Sequence, residues 1–504
     1  MLSIAFLVYP LATTGLSFMQ SFDLVIRNAM AVTASDIFNC DIAIKDGIIC
    51  ALGQHLPAGD KEIDAAGRFV TPGGIDSHVH LDQPTGDGSV MADDFASGTR
   101  SAACGGTTTL IPFAFQPKGG SLRVAVEDYH QRAGNNKALI DYAFHMIITD
   151  PNPKILHEEL PQLIKEGYTS FKLYMSYTAL MLNDRQILDI LALARRENAM
   201  VMLHAENHDC VDWLTEQLLA AGLTAPRFHA ASRPRLIERE ATHRAISLAE
   251  LVDVPILLVH VSSGETIEQI RWAQGKGLHV YGETCPQYLF LTRESMGLDD
   301  HFEGAKCICS PPPRDKGSQD AVWRGLTNGT FSVFSSDHAP FRFEGNDGKK
   351  ANGDPAPFNK VANGIPGVET RMALLWSEGV CTGRITPQRF VELTATNAAK
   401  LYGLYPRKGS IAIGTDADLV IWDQVKSFPI TNEMLHHNVD YTPYEGMTLS
   451  AWPAITLSRG EVVWDGAPKG QPGRGQFIRC KQPDLPPTAN NDQNYPAYAP
   501  IFEQ

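Results

Sequence analysis

Two histidines stand two residues apart in Asp76-Ser-His-Val-His80. Side chains alternate faces along a strand, so His78 and His80 would present both imidazoles on one side of a sheet. A pair of that kind can hold a metal ion, although H-x-H is a weak signal by itself. More residues of the same chemistry follow: Lys172 in Thr169-Ser-Phe-Lys-Leu-Tyr-Met175, His204 in Met202-Leu-His-Ala-Glu206, His260 in Leu258-Val-His-Val-Ser262 and Asp337 in Phe334-Ser-Ser-Asp-His-Ala339. Each has an ordinary alternative. A lone histidine is usually a hydrogen-bonded core residue, Asp337 would serve as a helix cap, and Lys172 would reach to a rim. Convergence of all six is what points to a metal centre.

The elements that would have to position them alternate. Apolar runs read as strands at Ile75–Leu81, Thr107–Phe113, Asp141–Thr149, Thr169–Met175, Met200–Glu206, Pro255–Ser262, His279–Thr284 and Phe331–Asp337. Amphipathic stretches between them include Asp94–Ala103, Asp184–Glu197, Ile237–Leu251 and Thr266–Gln274. Eight such units over roughly 265 residues predict a (β/α)₈ barrel, with an open doubly wound sheet as the alternative. In a barrel the candidate ligands all fall at the C-terminal ends of strands, where this fold builds its active sites.

Both chain ends carry short β-branched runs with turn residues, Asp23-Leu-Val-Ile-Arg-Asn28 and Asp41-Ile-Ala-Ile-Lys-Asp46 near the start, Asp418-Leu-Val-Ile-Trp-Asp423 and Glu461-Val-Val-Trp464 near the end. The expected organisation is therefore α/β: an extension over residues 1–20, a small β-sandwich domain from residues 21–72 and 405–470, a barrel over residues 73–404, and a tail over residues 471–504. The Pro-, Gln- and Asn-rich tail reads as an irregular arm suited to packing on a neighbouring subunit. The apolar start has no basic residue before Arg27, which favours an extension ahead of a start at Met19 over a secretory signal.

The composition is that of a soluble globular protein with 504 residues, 43% hydrophobic and 20% charged, with a net charge of −14. That balance argues against nucleic acid or an anionic membrane as the main partner. Nine scattered cysteines read as reduced thiols of a cytoplasmic protein. Lys172 is unusual: between Phe171 and Leu173 it points inward, and a buried ammonium beside metal cations is costly. Carboxylation by CO₂ would turn it into a bridging anion.

These segments resemble the amidohydrolase superfamily, and within it the dihydropyrimidinase and hydantoinase family of cyclic amidases. The resemblance runs from about Asp23 to about Ile478. It is carried by Gly73-Gly-Ile-Asp-Ser-His-Val-His80, Gly167-Tyr-Thr-Ser-Phe-Lys172, His204-Ala-Glu-Asn207, His260-Val-Ser-Ser-Gly264, Glu283-Thr-Cys-Pro-Gln-Tyr-Leu289, Ser310-Pro-Pro, Ser336-Asp-His-Ala-Pro340 and Asn363-Gly-Ile-Pro-Gly-Val-Glu369.

It implies two divalent metal ions, zinc being usual. His78, His80, N6-carboxylated Lys172 and Asp337 would hold one; Lys172, His204 and His260 would hold the other. It further implies a hydroxide shared by the metals as nucleophile, Asp337 as proton shuttle, Tyr177 as donor to the developing oxyanion, and Ser310 and Asn363 as binders of the ureide edge through their backbone groups. The product would be an N-carbamoyl amino acid, and the assembly a homotetramer or homodimer.

The chain departs from the family in the polar stretch Leu81-Asp-Gln-Pro-Thr-Gly-Asp-Gly-Ser89, and in Tyr174, Leu180 and Met181 where hydantoinases often place phenylalanines. Allantoinase- or dihydroorotase-type chemistry is the nearest alternative. A non-catalytic scaffold like the collapsin-response-mediator proteins is disfavoured because every ligand position is filled. A deaminase usually lacks the lysine.

Overall fold

The first barrel strand, Gly74–Val79, is buried at all six positions. It begins a parallel sheet in which Thr107–Phe115, His145–Ile147, Ser170–Tyr174, Met200–His204, Ile256–Leu258, Val280–Thr284 and Val333–Phe334 follow side by side in chain order. A parallel bridge from Val79 to His338, and the bond from His80 N to the His338 carbonyl at 2.7 Å, bring the last strand back to the first. The computed structural model describes residues 21–134, 137–424 and 427–485. The extension over residues 1–20 and the tail beyond residue 485 lie outside the described residues.

Each helix-like stretch forms a helix, and side-chain caps set three of the four starts. The first runs over Phe95–Cys104, because Asp94 accepts from Ala96 N and Ser97 N in a capping box. Asn183 caps Asp184–Glu197 in the same way with Gln186, and Ser263 caps Gly264–Gly275. The longest of the four covers Arg235–Val252. Among the described residues no helix is long and apolar enough to cross a membrane.

Three expected strands are shorter than their sequences suggest. The third breaks into Asp141–Tyr142 and His145–Ile147, the sixth contracts to Ile256–Leu258 and the eighth to Val333–Phe334. Apolar residues such as Ile111, Phe113, Met202, Leu257 and Val333 fill the barrel interior, while a second, larger core lies between strands and helices.

Strands from both chain ends form the other large sheet. Its order is Glu461–Trp464, Trp452–Ser458, Leu419–Asp423, Phe69–Pro72, Phe22–Val32, Ile37–Lys45 and Ile48–Gly53, with Gly59–Asp64 also on Phe22–Val32. A bulge between Ile26 and Ala29, with Asn28 at φ 55°, keeps Leu24, Ile26, Ala29 and Ala31 in one core.

The described start of the C-terminal arm packs against the barrel. Tyr142 N donates to the Gln476 carbonyl at 3.0 Å, and Phe477 packs against His130, Phe144 and Tyr168. Its aromatic and backbone partners lie beside the broken third strand, which leaves edge groups there to be paired.

Candidate active site

His78 ends up inside the barrel mouth, fully buried, with His80 one residue past the strand end and 7% exposed. Their ring centroids are 5.5 Å apart. Both present Nε2 to Asp337, whose Oδ1 lies 3.2 Å from the His78 nitrogen and 3.4 Å from that of His80. The candidate ligand atoms of these three residues all lie within 4.8 Å of one another.

His204, at the end of the fifth strand, turns Nδ1 toward His260 Nε2 at 2.9 Å. The His260 ring is also 5.3 Å from that of His78. The two ligand groups are thus neighbours, and Lys172 stands between them, its Nζ 2.6 Å from His78 Nε2. All six residues singled out as metal ligands converge on one point.

His260 and Asp337 are not strand residues. They sit just beyond shortened strands with φ of 40° and 51°, and Tyr177 has φ 68°. Left-handed backbone at a non-glycine residue costs roughly 1–3 kcal/mol, and such strain concentrates at functional sites. Here it turns three side chains over the mouth of the barrel.

The outward nitrogens of the histidines are held by a further set of residues. Glu283 Oε1 bonds His78 Nδ1 at 2.6 Å and also accepts from His260 N at 3.1 Å. Gln83 Oε1 lies 2.8 Å from His80 Nδ1, and Glu206 Oε2 lies 2.8 Å from His204 Nε2. Arg233 donates to the same Glu206 oxygen at 2.6 Å. Partners of this kind fix ring orientation and tautomer at metal sites. None was read as functional from sequence. The available signals were Glu206 two residues after His204 and Glu283 near a strand end like the ligands. Gln83 gives the polar stretch after the histidine pair a purpose: it orients His80.

Burial dominates the electrostatics. It drives His78 and His260 well below the usual histidine range, reinforced by Lys172 and the neighbouring histidines and opposed by Asp337. It also pulls Lys172 down to about 8, against the attraction of Asp337 and Glu283. For Asp337 burial works the other way, but His78, His80 and His260 outweigh it and hold the carboxylate ionised. Four imidazoles with their inner nitrogens facing one another, a carboxylate and a buried amine make a donor set suited to divalent metals.

A cleft of about 1020 Å³ opens above this cluster. Tyr177 lines it, with its ring 5.2 Å from that of His204. Burial pushes its phenol up to about 12, opposed by Arg233, so it stays a hydrogen-bond donor at neutral pH. Across the cleft Ser310 Oγ donates to Asn363 Oδ1 at 3.0 Å. His229 Nε2 donates to the Cys309 carbonyl at 2.9 Å and lies 3.2 Å from Ser310 Oγ. Met91, Phe115, Leu180 and Phe341 supply an apolar wall. Met181 instead pairs by backbone with Tyr174. Cys307 and Cys309 are free thiols, as are the other seven cysteines.

Comparison with known proteins places this geometry. The model of the amidohydrolase family matches residues 69–463. The D-hydantoinase of Geobacillus stearothermophilus is 46% identical over 459 residues, covering 90% of this chain and 96% of that protein. The D-phenylhydantoinase of Escherichia coli is 42% identical over 92% of this chain and 99% of its own length. The crystal structure of dihydropyrimidinase from Brevibacillus agri NCHU1002 superposes with a TM-score of 0.89 at 43% identity, covering 92% of this chain and 99% of that one. By sequence, by fold and by the residues gathered at its barrel mouth, the chain belongs to the amidohydrolase family, among the cyclic-amide hydrolases of the hydantoinase and dihydropyrimidinase type.

Proposed function

We propose that the chain opens the ring of a dihydropyrimidine or a 5-substituted hydantoin by hydrolysis of the ring amide, releasing an N-carbamoyl amino acid. The observation that carries this reading is the meeting of His78, His80, Lys172, His204, His260 and Asp337 beneath a cleft with Tyr177, Ser310 and Asn363 on its walls.

Two divalent metal ions, zinc in this reading, would supply an acidified water and polarise the scissile carbonyl. His78, His80, Lys172 and Asp337 would hold one ion, and Lys172, His204 and His260 the other, with Lys172 carboxylated at Nζ. The buried amine supports that modification, since an ammonium 2.6 Å from a ligand imidazole would oppose metal binding while a carboxylate would favour it.

Asp337, kept ionised by the surrounding imidazoles, takes a proton and returns it to the leaving ring nitrogen. Tyr177 remains protonated and donates to the oxygen on which charge develops. The backbone at Ser310 and Asn363 binds the –NH–CO–NH– edge. Met91, Phe115, Leu180 and Phe341 suit an apolar ring substituent. A homo-oligomer, dimer or tetramer, and a cytoplasmic location belong to the same reading.

The test is hydrolysis by zinc-loaded protein of dihydrouracil, hydantoin, 5-phenylhydantoin, allantoin and dihydroorotate in parallel. Turnover is expected for the first three. Turnover confined to allantoin or dihydroorotate would overturn the substrate assignment and leave the metal chemistry in place.

A further inference from the structure

Lys349 is buried without exposure, and the reaction as described gives it no part. Its Nζ donates to three main-chain carbonyls, Ile308 at 3.0 Å, Ala362 at 2.7 Å and Gly364 at 2.6 Å. An ammonium has three donors, so this one is saturated by backbone alone. Burial works against its charged form and no carboxylate offsets it, so the three carbonyl acceptors are what favour the ammonium. A buried cation without an anionic partner is costly. An apolar side chain of equal length would avoid burying a charge but would leave these carbonyls without a side-chain donor, so what the lysine adds is a tie between them.

The three carbonyls belong to two segments. Ile308 lies two residues before Ser310, and Ala362 and Gly364 flank Asn363. Beyond the lysine the segments are joined by Gly364 N donating to the Ile308 carbonyl at 3.1 Å and by the Ser310–Asn363 side-chain bond at 3.0 Å. Gly364 has φ 139°, and a Cβ there would collide with Ala339, two residues after Asp337. One face of the recognition backbone is therefore pressed against the chain leaving the metal cluster, and the other is held by a single ammonium. Lys349 itself is anchored by its own N–H to the Arg342 carbonyl at 2.8 Å.

We propose that Lys349 is a positioning residue for substrate recognition: its ammonium fixes the spacing between the Ser310 and Asn363 segments and so the fit of the ureide edge. This rests on the reading that those segments bind that edge. Lys349 does not line the cleft, so it acts through them. Its loss loosens binding of the ring while the metal cluster and Tyr177 stay in place.

The test uses the full, metal-loaded chain with Lys349→Met, which keeps length and removes all three donors. Backbone hydrogen exchange over residues 306–312 and 361–366 is expected to accelerate about tenfold, with residues 200–204 unchanged. For whichever of hydantoin, 5-phenylhydantoin and dihydrouracil the native chain hydrolyses, KM is expected to rise about tenfold while kcat stays within about threefold. Unchanged exchange in both segments, or unchanged KM with two metals bound, overturns the proposal. So does a fall in kcat and metal content at constant KM. Should Lys349→Met not fold, Lys349→Gln retains two N–H donors and is expected to raise KM by a smaller factor, and an unchanged KM again overturns it. If the native chain hydrolyses none of the three rings, the substrate reading fails separately, and the exchange measurement still decides whether Lys349 ties the two segments.

Discussion

Nζ of Lys172 lies 2.6 Å from Nε2 of His78, and both side chains are buried. Neither group gains from being charged there, since burial lowers both. A carboxylated lysine would remove the conflict and supply an anion to two cations. Lys172→Ala is therefore expected to lose most bound metal and more than about a hundredfold in activity, since even supporting residues at metal sites cost that much. Added acetate or propionate should restore part of it. Metal analysis alongside activity checks this, and full activity with two metals retained would remove the bridging role.

Tyr177 donates from a phenol that burial keeps protonated. Tyr177→Phe deletes one donor to developing charge and is expected to lower kcat by about 10²–10³. Metal content and thermal stability should not change. Unaltered turnover would place the oxyanion contact elsewhere.

His229 is buried beside Ser310 and its pKa is pushed down to about 3 by burial and by Arg233. The unfolded chain takes up that proton near pH 6.5 and the folded chain does not. Stability is thus undiminished above about 6.5 and falls as the pH drops from there toward about 3, by up to about 1.4 kcal/mol per pH unit. In His229→Gln the amide can keep the bond to the Cys309 carbonyl. The loss of thermal midpoint between pH 7 and pH 5 should be smaller than in the native chain, and an equal loss would rule out His229 as the source.

Lys408 joins the barrel to the terminal sheet. Its Nζ lies 2.7 Å from Asp141, 2.9 Å from Asp416 and 2.6 Å from Asp418, with 1% of the side chain exposed. Lys408→Met strands buried carboxylates and is expected to destabilise the fold by about 3–5 kcal/mol. The activity of molecules still folded at 25 °C should be near normal. A thermal midpoint within experimental error of the native one would contradict this.

The placement of the four candidate ligands on strands or at their ends was legible because a strand's period is simple: His78 and His80 two apart, Lys172 flanked by Phe171 and Leu173, His204 closing an apolar run. His260 and Asp337 were assigned to the right place for a partly wrong reason. The apolar runs before them continue past the last ladder bond, where the backbone turns left-handed, and sequence does not mark where pairing stops. The residues that orient the ligands were not legible as such. Glu283 and His78 are 205 positions apart, and Lys349 acts on carbonyls whose location no side chain announces. Helix starts lie within about two residues of the stretches read from periodicity, and Asp94, Asn183 and Ser263 cap three of the four. The contacts of residues 476–478 were not legible, because their partners, the open edge at Tyr142 and the aromatic patch around Phe144, exist only once the third strand has broken.

Strand Phe69–Pro72 lies between Phe22–Val32 and Leu419–Asp423. On the ribosome the first of those neighbours is available at once and the second is about 350 codons away, a wait of roughly 20–70 s at ordinary elongation rates. Throughout that interval the edge of Phe69–Pro72 that pairs with Leu419–Asp423 has no partner. The last partner of this strand is thus also the last to be made, and the sheet closes only when the chain is nearly complete. Changes that speed mispairing at residues 69–72 would lower yield without altering the finished molecule.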